Sequence, residues 1–415
     1  MRVSFLDGFR SLPEESGNVT TASWPAVSYE TLPWQTDERP GIASRQARRR
    51  HRGPYRTAVP AKIAERGLHL PADVTATAEE ASNEIARFDA EMGGELAPFH
   101  AVLLRSESTS SSRIENLTAS ARAIAEAELG DSGRRNAGEI VANTNAMKAA
   151  IALSDRIDAD AILAMHRSLM EHTDPEAAGR WRTQQVWIGG GNLGPHDALF
   201  VPPRHTRVAP AIDDLVRFAA RDDLPVLTHV ALAHAQFETI HPFPDGNGRT
   251  GRALLHAMLR AKALTRSVTV PVSAGLLTNT ESYFAALTAY RAGDPTAIEI
   301  RVAEASFAAI ANGRRLVRDL RAVRQEWDRR IAARGDSAVW RVADLLLRHP
   351  VVNAALLARE LGIQANNAPR YLQPLEKAEV LVESTDRKRN RAWRAPEILE
   401  ALDAFAARAA RRRSE

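Results

Sequence analysis

The chain of 415 residues contains no cysteine. This absence excludes disulfide bonds, thiolate metal sites, iron–sulfur clusters and cysteine nucleophiles, and it is typical of proteins from a reducing compartment. No uninterrupted apolar run of about 20 residues occurs, so we expect no membrane-spanning helix. The N-terminal residues lack the basic-then-apolar order of a secretory signal. We therefore expect a cytoplasmic protein with no membrane partner.

Aromatic residues are scarce, and neither sign of charge dominates. Phenylalanine, tryptophan and tyrosine make up 6% of the residues, and 55 basic against 51 acidic side chains leave a net charge of +4. So small an excess gives no reason by itself to expect nucleic-acid binding. The hydrophobic fraction of 44% is enough for a packed core, and the length predicts two or three domains.

The hydrophobic pattern predicts a predominantly α fold. Apolar residues recur at three- and four-residue steps from Ala78 to Met92 and again from Val226 to Ile240. A glycine-rich break at residues 184–194 predicts a short hairpin or turn. We predict five segments: an irregular or flexible arm at 1–52, a helical region at 53–135, the main helical domain at 136–315, a helical linker at 316–336, and a small domain with a basic tail at 337–415.

Most of the chemical information lies in residues 241–252, His-Pro-Phe-Pro-Asp-Gly-Asn-Gly-Arg-Thr-Gly-Arg. Two prolines end one helix at His241, and a glycine-rich loop leads into the next helix, so backbone N–H groups can cradle an anion. Arg249 and Arg252 lie three residues apart and face the same side, which suits phosphate oxygens. Asp245 supplies an oxygen ligand suited to Mg²⁺, and His241 is the natural general base. Each residue alone has an ordinary structural explanation, but together they predict a polyphosphate site.

This segment resembles the Fic family signature, H-x-F-x-[DE]-G-N-G-R-x-x-R, and matches it at every defined position. The resemblance implies that residues 136–315 form a Fic catalytic domain, which transfers AMP from Mg-ATP to a Ser, Thr or Tyr hydroxyl of a target protein or of itself. His241 would deprotonate the hydroxyl, Asp245 would hold Mg²⁺, and Phe243 would anchor the loop in the core. The phosphates would be bound by five residues: Gly246, Asn247, Gly248, Arg249 and Arg252.

One position separates two reactions within the family. A Doc-type relative that transfers a phosphoryl group carries lysine where this chain has Gly248. The glycine therefore favours adenylyl transfer over phosphoryl transfer.

The same resemblance assigns two further regions. Val186, Trp187, Ile188 and Gly189 fall in the family's flap, a hairpin that pairs with an extended stretch of the target. An ordinary structural hairpin is the alternative, and for Trp187 we prefer packing on the core. Tyr283 falls where the family places residues beside the adenosine, although an aromatic residue at helical spacing is equally typical of a core.

A second motif lies upstream, at Ser111, Glu115 and Asn116. By itself, Ser112-x-x-Glu115 is typical of a capping box at a helix start. Beside the Fic signature, however, Ser111-x-x-x-Glu115-Asn116 matches the family's inhibitory pattern, [ST]-x-x-x-E-[GN]. The resemblance implies that Glu115 forms an ion pair with Arg252 and so occupies the guanidinium that would bind the γ-phosphate. In some relatives the same glutamate helps to remove AMP, so the reverse activity stays an alternative.

The C-terminal pattern of helix, turn, helix and hairpin is similar to a winged helix-turn-helix. In such a module, polar residues of the recognition helix would face a DNA major groove: Asn366, Asn367, Arg370, Gln373 and Lys377. Docking on the catalytic domain, binding of a protein, and a merely solvated basic face are the alternatives. A DNA-binding regulator whose Fic domain senses nucleotide is accordingly the main alternative to the transferase.

Overall fold

The computed structural model describes residues 24–34, 50–94, 98–131, 133–191, 193–384 and 391–411. These residues are mostly helical, which confirms the predicted fold class. The helices, in chain order, are α1 (Ala72–Gly93), α2 (Pro98–Ile114), α3 (Ala121–Glu128), α4 (Arg135–Ala152), α5 (Ala159–Met170), α6 (Val208–Ala219), α7 (Val226–Ile240), α8 (Asn247–Ala261), α9 (Val272–Leu277), α10 (Thr280–Arg291), α11 (Thr296–Arg330), α12 (Ala338–Arg348), α13 (Ala354–Leu361), α14 (Ala368–Lys377) and α15 (Pro396–Ala410). None of these helices is long and apolar enough to cross a bilayer.

The core is built around α7 and α8. Every side chain of α7 from Leu227 to Ile240 is buried, and α8 is buried almost throughout from Arg249 to Leu259. A helix enclosed on all sides lies at the centre of a bundle rather than on its surface. Here α7 packs against α6, α8 and α11. The loop that joins α7 to α8 is therefore held at both ends by the least mobile part of the fold.

The prediction of an irregular arm is wrong for residues 28–32, which form strand β1 (Ser28–Leu32). β1 pairs antiparallel with β2 (Tyr55–Val59), with Ser28 opposite Val59. Five residues without clear alternation give a weak strand signal, and the partner strand supplies the hydrogen bonds. Residues 1–23 and 35–49 of the predicted arm lie outside the described residues.

The predicted linker at 316–336 is not a separate element. Its first fifteen residues are the end of α11, which runs unbroken for 35 residues from the main domain. Asn312 and Gly313 weaken the helical pattern in the sequence, but Gly313 lies where the chain needs a small residue. A Cβ built on Gly313 would lie 3.1 Å from the ring of Phe88 on α1. Close packing of two helices thus overrides the local propensity.

Gly275 in α9 is expected to tolerate no side chain. A Cβ built there would lie 1.9 Å from the backbone oxygen of Ala305 on α11, so Gly275→Ala should lower the free energy of unfolding by about 2–3 kcal/mol. Gly138→Ala in α4 is the matched control. Its Cβ would meet nothing within 4 Å, so the same change should stabilise the protein by about 0.5–1 kcal/mol. Denaturant unfolding followed by circular dichroism measures both, and equal effects would contradict the packing argument.

The C-terminal elements occur in winged-helix order: α12, strand β3 (Val351–Asn353), α13, α14, then strands β4 (Val382–Glu383) and β5 (Ala392–Arg394). β5 pairs with both β3 and β4. Gly362 makes the turn after α13 with φ of +69°. The five polar residues predicted to read DNA are all exposed, and DNA binding by them stays a prediction. The sequence also predicts a basic tip of the hairpin at residues 386–391, of which 386–390 lie outside the described residues.

A helix that the sequence analysis did not foresee, α15, joins this module to the main domain. α15 packs against α2, α3, α9 and α11. Arg113 of α2 donates to the carbonyl of Ala406 (2.7 Å), and Asp403 accepts from the N–H of Ala121 at the start of α3 (2.8 Å). The C-terminal module therefore contacts the helix that precedes Glu115.

His349, at the end of α12, makes this junction sensitive to acid. Burial and the nearby Arg105 lower the pKa of His349 to about 4, below the ordinary value of 6.5. The unfolded chain binds this proton first, so the contribution of His349 to stability is complete above pH 6.5 and is lost as the pH falls toward 4. Between pH 6.5 and 4 the free energy of unfolding should fall in both wild type and His349→Gln. We expect the fall to be smaller in the variant by roughly 2 kcal/mol. His172→Gln, at an exposed histidine, should leave the wild-type slope unchanged.

Candidate active site

His241 follows α7 directly, in a left-handed conformation with φ of +50°. Its N–H donates to the carbonyl of Phe237 (2.9 Å), and its own carbonyl accepts from the guanidinium of Arg182 (2.9 Å). Burial, together with Arg291 and Arg182, lowers the pKa of His241 to about 3. The imidazole is therefore neutral at neutral pH, which is the form that a general base requires.

The loop after His241 is fastened to the core by Phe243 and Asn247. Phe243 is fully buried and stacks on His166, with ring centroids 3.7 Å apart. The Asn247 side chain accepts from the N–H of Phe243 and donates to its carbonyl, both at 2.8 Å. His166 also binds the backbone oxygen of Asp245 through Nε2 (3.1 Å). The sequence analysis did not select His166, because a histidine on a helical apolar face carries no signal of its own.

The loop that the glycines predict to be a phosphate cradle leads directly into α8. Gly246 precedes α8 with φ of +74°, a conformation that glycine adopts without strain, and α8 begins at Asn247. Arg249 and Arg252 both lie in the first two turns of α8, and both are buried. Arg249 lies 3.6 Å from Asp245 and 3.6 Å from Glu139 of α4. The cradle and both guanidinium groups thus meet at the N-terminus of one helix, where anions are favoured.

Arg252 is held by the upstream motif. Its Nε donates to the hydroxyl of Ser111 (2.9 Å), and one Nη donates both to the Ser111 carbonyl (2.9 Å) and to Oε1 of Glu115 (2.8 Å). Burial opposes the charge of Arg252, but Glu115, Tyr283 and Glu238 hold its pKa above the ordinary value. The guanidinium that the resemblance assigns to the γ-phosphate is therefore already paired.

The capping-box interpretation of Ser112 and Glu115 is wrong, because a helix ends at this point rather than begins. Ser112 lies in the last turn of α2, and its hydroxyl accepts from Asn143 of α4 (3.1 Å). Asn116 reverses the chain with φ of +61°, a conformation that asparagine adopts more readily than most residues. At this turn Glu115 contacts Arg252. The positive φ of the next residue explains why the pattern [ST]-x-x-x-E-[GN] has glycine or asparagine there, since these two residues tolerate that conformation.

A buried carboxylate anchors the same helix one turn further back. Glu107 of α2 accepts from the N–H of Ser273 at the start of α9 (2.8 Å) and lies 2.9 Å from Nε2 of His256 on α8. The side chain of Glu107 is fully buried. These contacts fix α2 relative to the helix that carries Arg252.

Asp245 is the residue that suits a magnesium ion. Its side chain is 72% exposed, and Oδ1 accepts from the N–H of Gly246 (2.7 Å). Within the described part of the chain, no cluster of three or more histidine, aspartate or glutamate side chains could hold a metal ion. One exposed carboxylate beside a phosphate cradle nevertheless fits Mg²⁺, which is usually bound by one or two carboxylates together with phosphates and water.

The predicted flap is a hairpin closed by one β-bridge. The N–H of Ile188 donates to the carbonyl of Phe200, and the N–H of Leu199 donates to the carbonyl of Ile188, both at 2.8 Å. The N–H of Ala58 on β2 donates to the carbonyl of Val201 (2.9 Å). The sheet of β1 and β2 is therefore hydrogen-bonded to the chain next to the flap. Trp187 packs edge-on against Trp34, with centroids 5.5 Å apart; both side chains are half-buried, and packing of Trp187 on the core stays a prediction. Val186 and Gly189 flank the bridge in sequence.

Tyr283 offers no exposed surface to a nucleotide in this structure. It is 1% exposed on α10, and its hydroxyl lies 2.8 Å from Nε2 of His234 on α7. Burial raises the pKa of the phenol well above its ordinary value. Its neighbour Phe284 is 51% exposed. The adenosine role of Tyr283 stays a prediction, and the contacts made here are those of a core residue.

The site lies in a segment with recognisable relatives. Residues 156–259 match the family model described as Fic/DOC family. Protein adenylyltransferase fic-1 of Caenorhabditis elegans is 34% identical over 143 residues, which cover 34% of this chain and 25% of that protein. Protein adenylyltransferase Fic of Drosophila willistoni is 36% identical over 99 residues, 24% of this chain and 18% of that protein. The matched segment thus spans a quarter or less of these relatives.

A solved structure is similar over a longer stretch at lower identity. The crystal structure of a Fic family protein from Desulfovibrio desulfuricans G20 covers 79% of this chain and 97% of that chain, with a TM-score of 0.49 and 21% identity. The family match includes the whole segment from His241 to Arg252. Residues 156–259 are therefore similar to the Fic/DOC family, and this matched segment contains the candidate site.

Proposed function

We propose that this protein is a protein adenylyltransferase that is held inactive by its own Glu115. The observation that carries the proposal is the ion pair of 2.8 Å between Glu115 and Arg252, inside a complete phosphate-binding motif that also contains His241. A site that only binds nucleotide needs no general base. The names of the relatives fic-1 and Fic, which match through the same segment, support adenylyl transfer.

The chemistry is an in-line displacement at the α-phosphorus of ATP. His241 takes the proton of the target hydroxyl, the hydroxyl oxygen bonds to the α-phosphorus, and the bond to the bridging oxygen breaks to release pyrophosphate. The backbone of Gly246 to Gly248 and the side chain of Arg249 bind the phosphates and stabilise their charge. When bound to Asp245, Mg²⁺ would neutralise phosphate charge. Most of the acceleration then comes from positioning and electrostatics.

The acceptor is proposed to be an extended segment of a protein, bound along the flap. The flap makes one β-bridge of its own, between Ile188 and Phe200, and Leu199 beside it is 87% exposed. A short exposed hairpin edge offers backbone groups for β-augmentation. The cysteine-free composition agrees with a cytoplasmic reaction.

Labelled ATP tests this function and separates it from its alternatives. Wild type and Glu115→Gly are incubated with Mg²⁺ and ATP labelled at the α- or the γ-phosphate, alone and with a cell lysate. We expect α-label on the chain or on a lysate protein, stronger in the variant and absent after His241→Ala. Label from the γ-phosphate would indicate phosphoryl transfer. Bound nucleotide without any label would contradict the transferase and favour a nucleotide-sensing regulator that acts through the C-terminal module.

A further inference from the structure

A second carboxylate lies beside the imidazole of His241. Glu238 is on α7, three residues before His241, and its Oε2 lies 4.0 Å from Nδ1 of the ring. Oε1 of Glu238 and Nδ1 of His241 are both buried, and neither makes a hydrogen bond of good geometry to the residues that the structure describes, although the backbone carbonyl of Glu238 lies near the ring. Buried polar atoms are nearly always bonded, so two such atoms on neighbouring side chains call for an explanation.

The fold makes room for this carboxylate on the side of α8. A Cβ built on Gly251 would lie 2.7 Å from Oε1 of Glu238, so a larger residue at 251 would displace the carboxylate. Position 251 is one of the undefined positions of the signature, and Glu238 lies outside the signature altogether. The arrangement is therefore a property of this chain that the motif does not describe.

Charged groups face Glu238 from three directions. Arg252 lies on α8, Arg291 of α10 donates to the backbone carbonyl of Glu238 (3.3 Å), and Glu115 approaches from the end of α2. Burial raises the pKa of Glu238 to about 7, the two arginines oppose this rise, and Glu115 adds to it. Tyr283, from α10, is held neutral at this pH. The carboxylate thus changes charge near neutrality, and withdrawal of Glu115 favours its ionised form.

The environment of His241 otherwise disfavours a proton on the ring. Burial, Arg291 and Arg182 all favour the neutral imidazole, although the backbone carbonyl of Glu238 opposes them slightly. A base in this setting accepts a proton only if something compensates the imidazolium charge as it forms. In other hydrolytic and transfer sites a buried carboxylate behind the histidine does so.

We propose that Glu238 is a positioning residue: its ionised carboxylate accepts a hydrogen bond from Nδ1–H of His241 and stabilises the imidazolium that forms when the opposite nitrogen, Nε2, takes the hydroxyl proton. The proposal rests on the proposed adenylyl transfer. No further reactant is needed, because the proton moves from the hydroxyl to Nε2 and then to solvent. For this hydrogen bond Oε2 of Glu238 must approach Nδ1 of His241 from 4.0 Å to about 2.8 Å.

The test compares Glu238→Gln and Glu238→Asp in a Glu115→Gly background, with transfer from α-labelled ATP measured between pH 5.5 and 9. We expect the Glu115→Gly parent to become faster as the pH rises, with a midpoint at or below 7. Glu238→Gln should lower the plateau rate by about 10- to 100-fold and lose that rise, and Glu238→Asp should restore part of it. Glu326→Gln, a surface change on α11, should leave the parent profile unchanged. A parental rate and profile in Glu238→Gln would overturn the proposal.

Nuclear magnetic resonance gives a readout that does not need transfer. With histidines labelled with ¹³C and ¹⁵N, and His241 assigned by its loss in His241→Ala, we expect the His241 ring signals to shift with a midpoint near pH 7. The shift should vanish in Glu238→Gln. If no variant transfers AMP, the proposed function fails while this titration still decides whether Glu238 and His241 interact. Ring signals that ignore Glu238 would overturn the inference even if transfer occurs.

Discussion

Glu115→Gly is expected to raise the rate of AMP transfer by about 10- to 100-fold. In the wild type, Oε1 of Glu115 accepts a hydrogen bond from the Arg252 guanidinium at 2.8 Å. A hydrogen bond between charged groups contributes about 1.5–3 kcal/mol, which corresponds to this range of rates if ATP must break it to bind productively. The measurement is the initial rate of incorporation of α-label at saturating ATP and Mg²⁺.

Two controls separate release of Arg252 from loosening of the fold. Glu115→Gln keeps the size of the side chain and removes its charge, so it should also accelerate transfer, although less than glycine. Glu326→Gln removes an exposed carboxylate that pairs with Arg329 on α11, and it should change nothing. If both Glu115 variants transfer AMP at the wild-type rate, the ion pair has no inhibitory role.

His241→Ala is expected to lower the rate in the Glu115→Gly background by about 10²- to 10⁴-fold, the usual contribution of a general base. ATP binding should be preserved, because the phosphates are held by the cradle and by Arg249 and Arg252 rather than by the imidazole. Isothermal titration with a non-hydrolysable ATP analogue measures binding, and label incorporation measures transfer.

A variant at another buried histidine shows whether the loss is chemical. His229 of α7 binds the carbonyl of Phe218 (2.7 Å) and lies outside the motif, so His229→Gln should change stability more than transfer rate. A fall in nucleotide affinity equal to the fall in rate of His241→Ala would assign His241 to binding, not to proton transfer.

The sequence predicted the part of the site in which residue type and spacing are both constrained. Two prolines, a glycine-rich loop and two arginines three residues apart leave few folds for residues 241–252, and the structure places α7, the loop and α8 accordingly. The approach of Glu115 to Arg252 was predicted from the resemblance alone. It spans 137 positions along the chain, and no periodicity in the sequence indicates it.

Other parts could not be predicted because they depend on partners far along the chain. β1 is a strand because β2 pairs with it, and β2 is itself hydrogen-bonded to Val201. α11 continues through Gly313 because Phe88 packs there. Glu238 lies on a helix that is buried on all faces, and no pattern in the sequence distinguishes this one polar residue as part of a site.

Gly248 connects the position of Glu115, the proposed inhibitory residue, with the choice between adenylyl and phosphoryl transfer. A Cβ built on Gly248 would lie 2.0 Å from Oε1 of Glu115, so any side chain at this position displaces the carboxylate. A lysine at this position, as in Doc-type relatives, therefore fits this structure only if Glu115 is lost or its side chain moves away. Under the proposed function, inhibition by Glu115 in this position thus requires glycine at 248 and excludes the lysine that accompanies phosphoryl transfer.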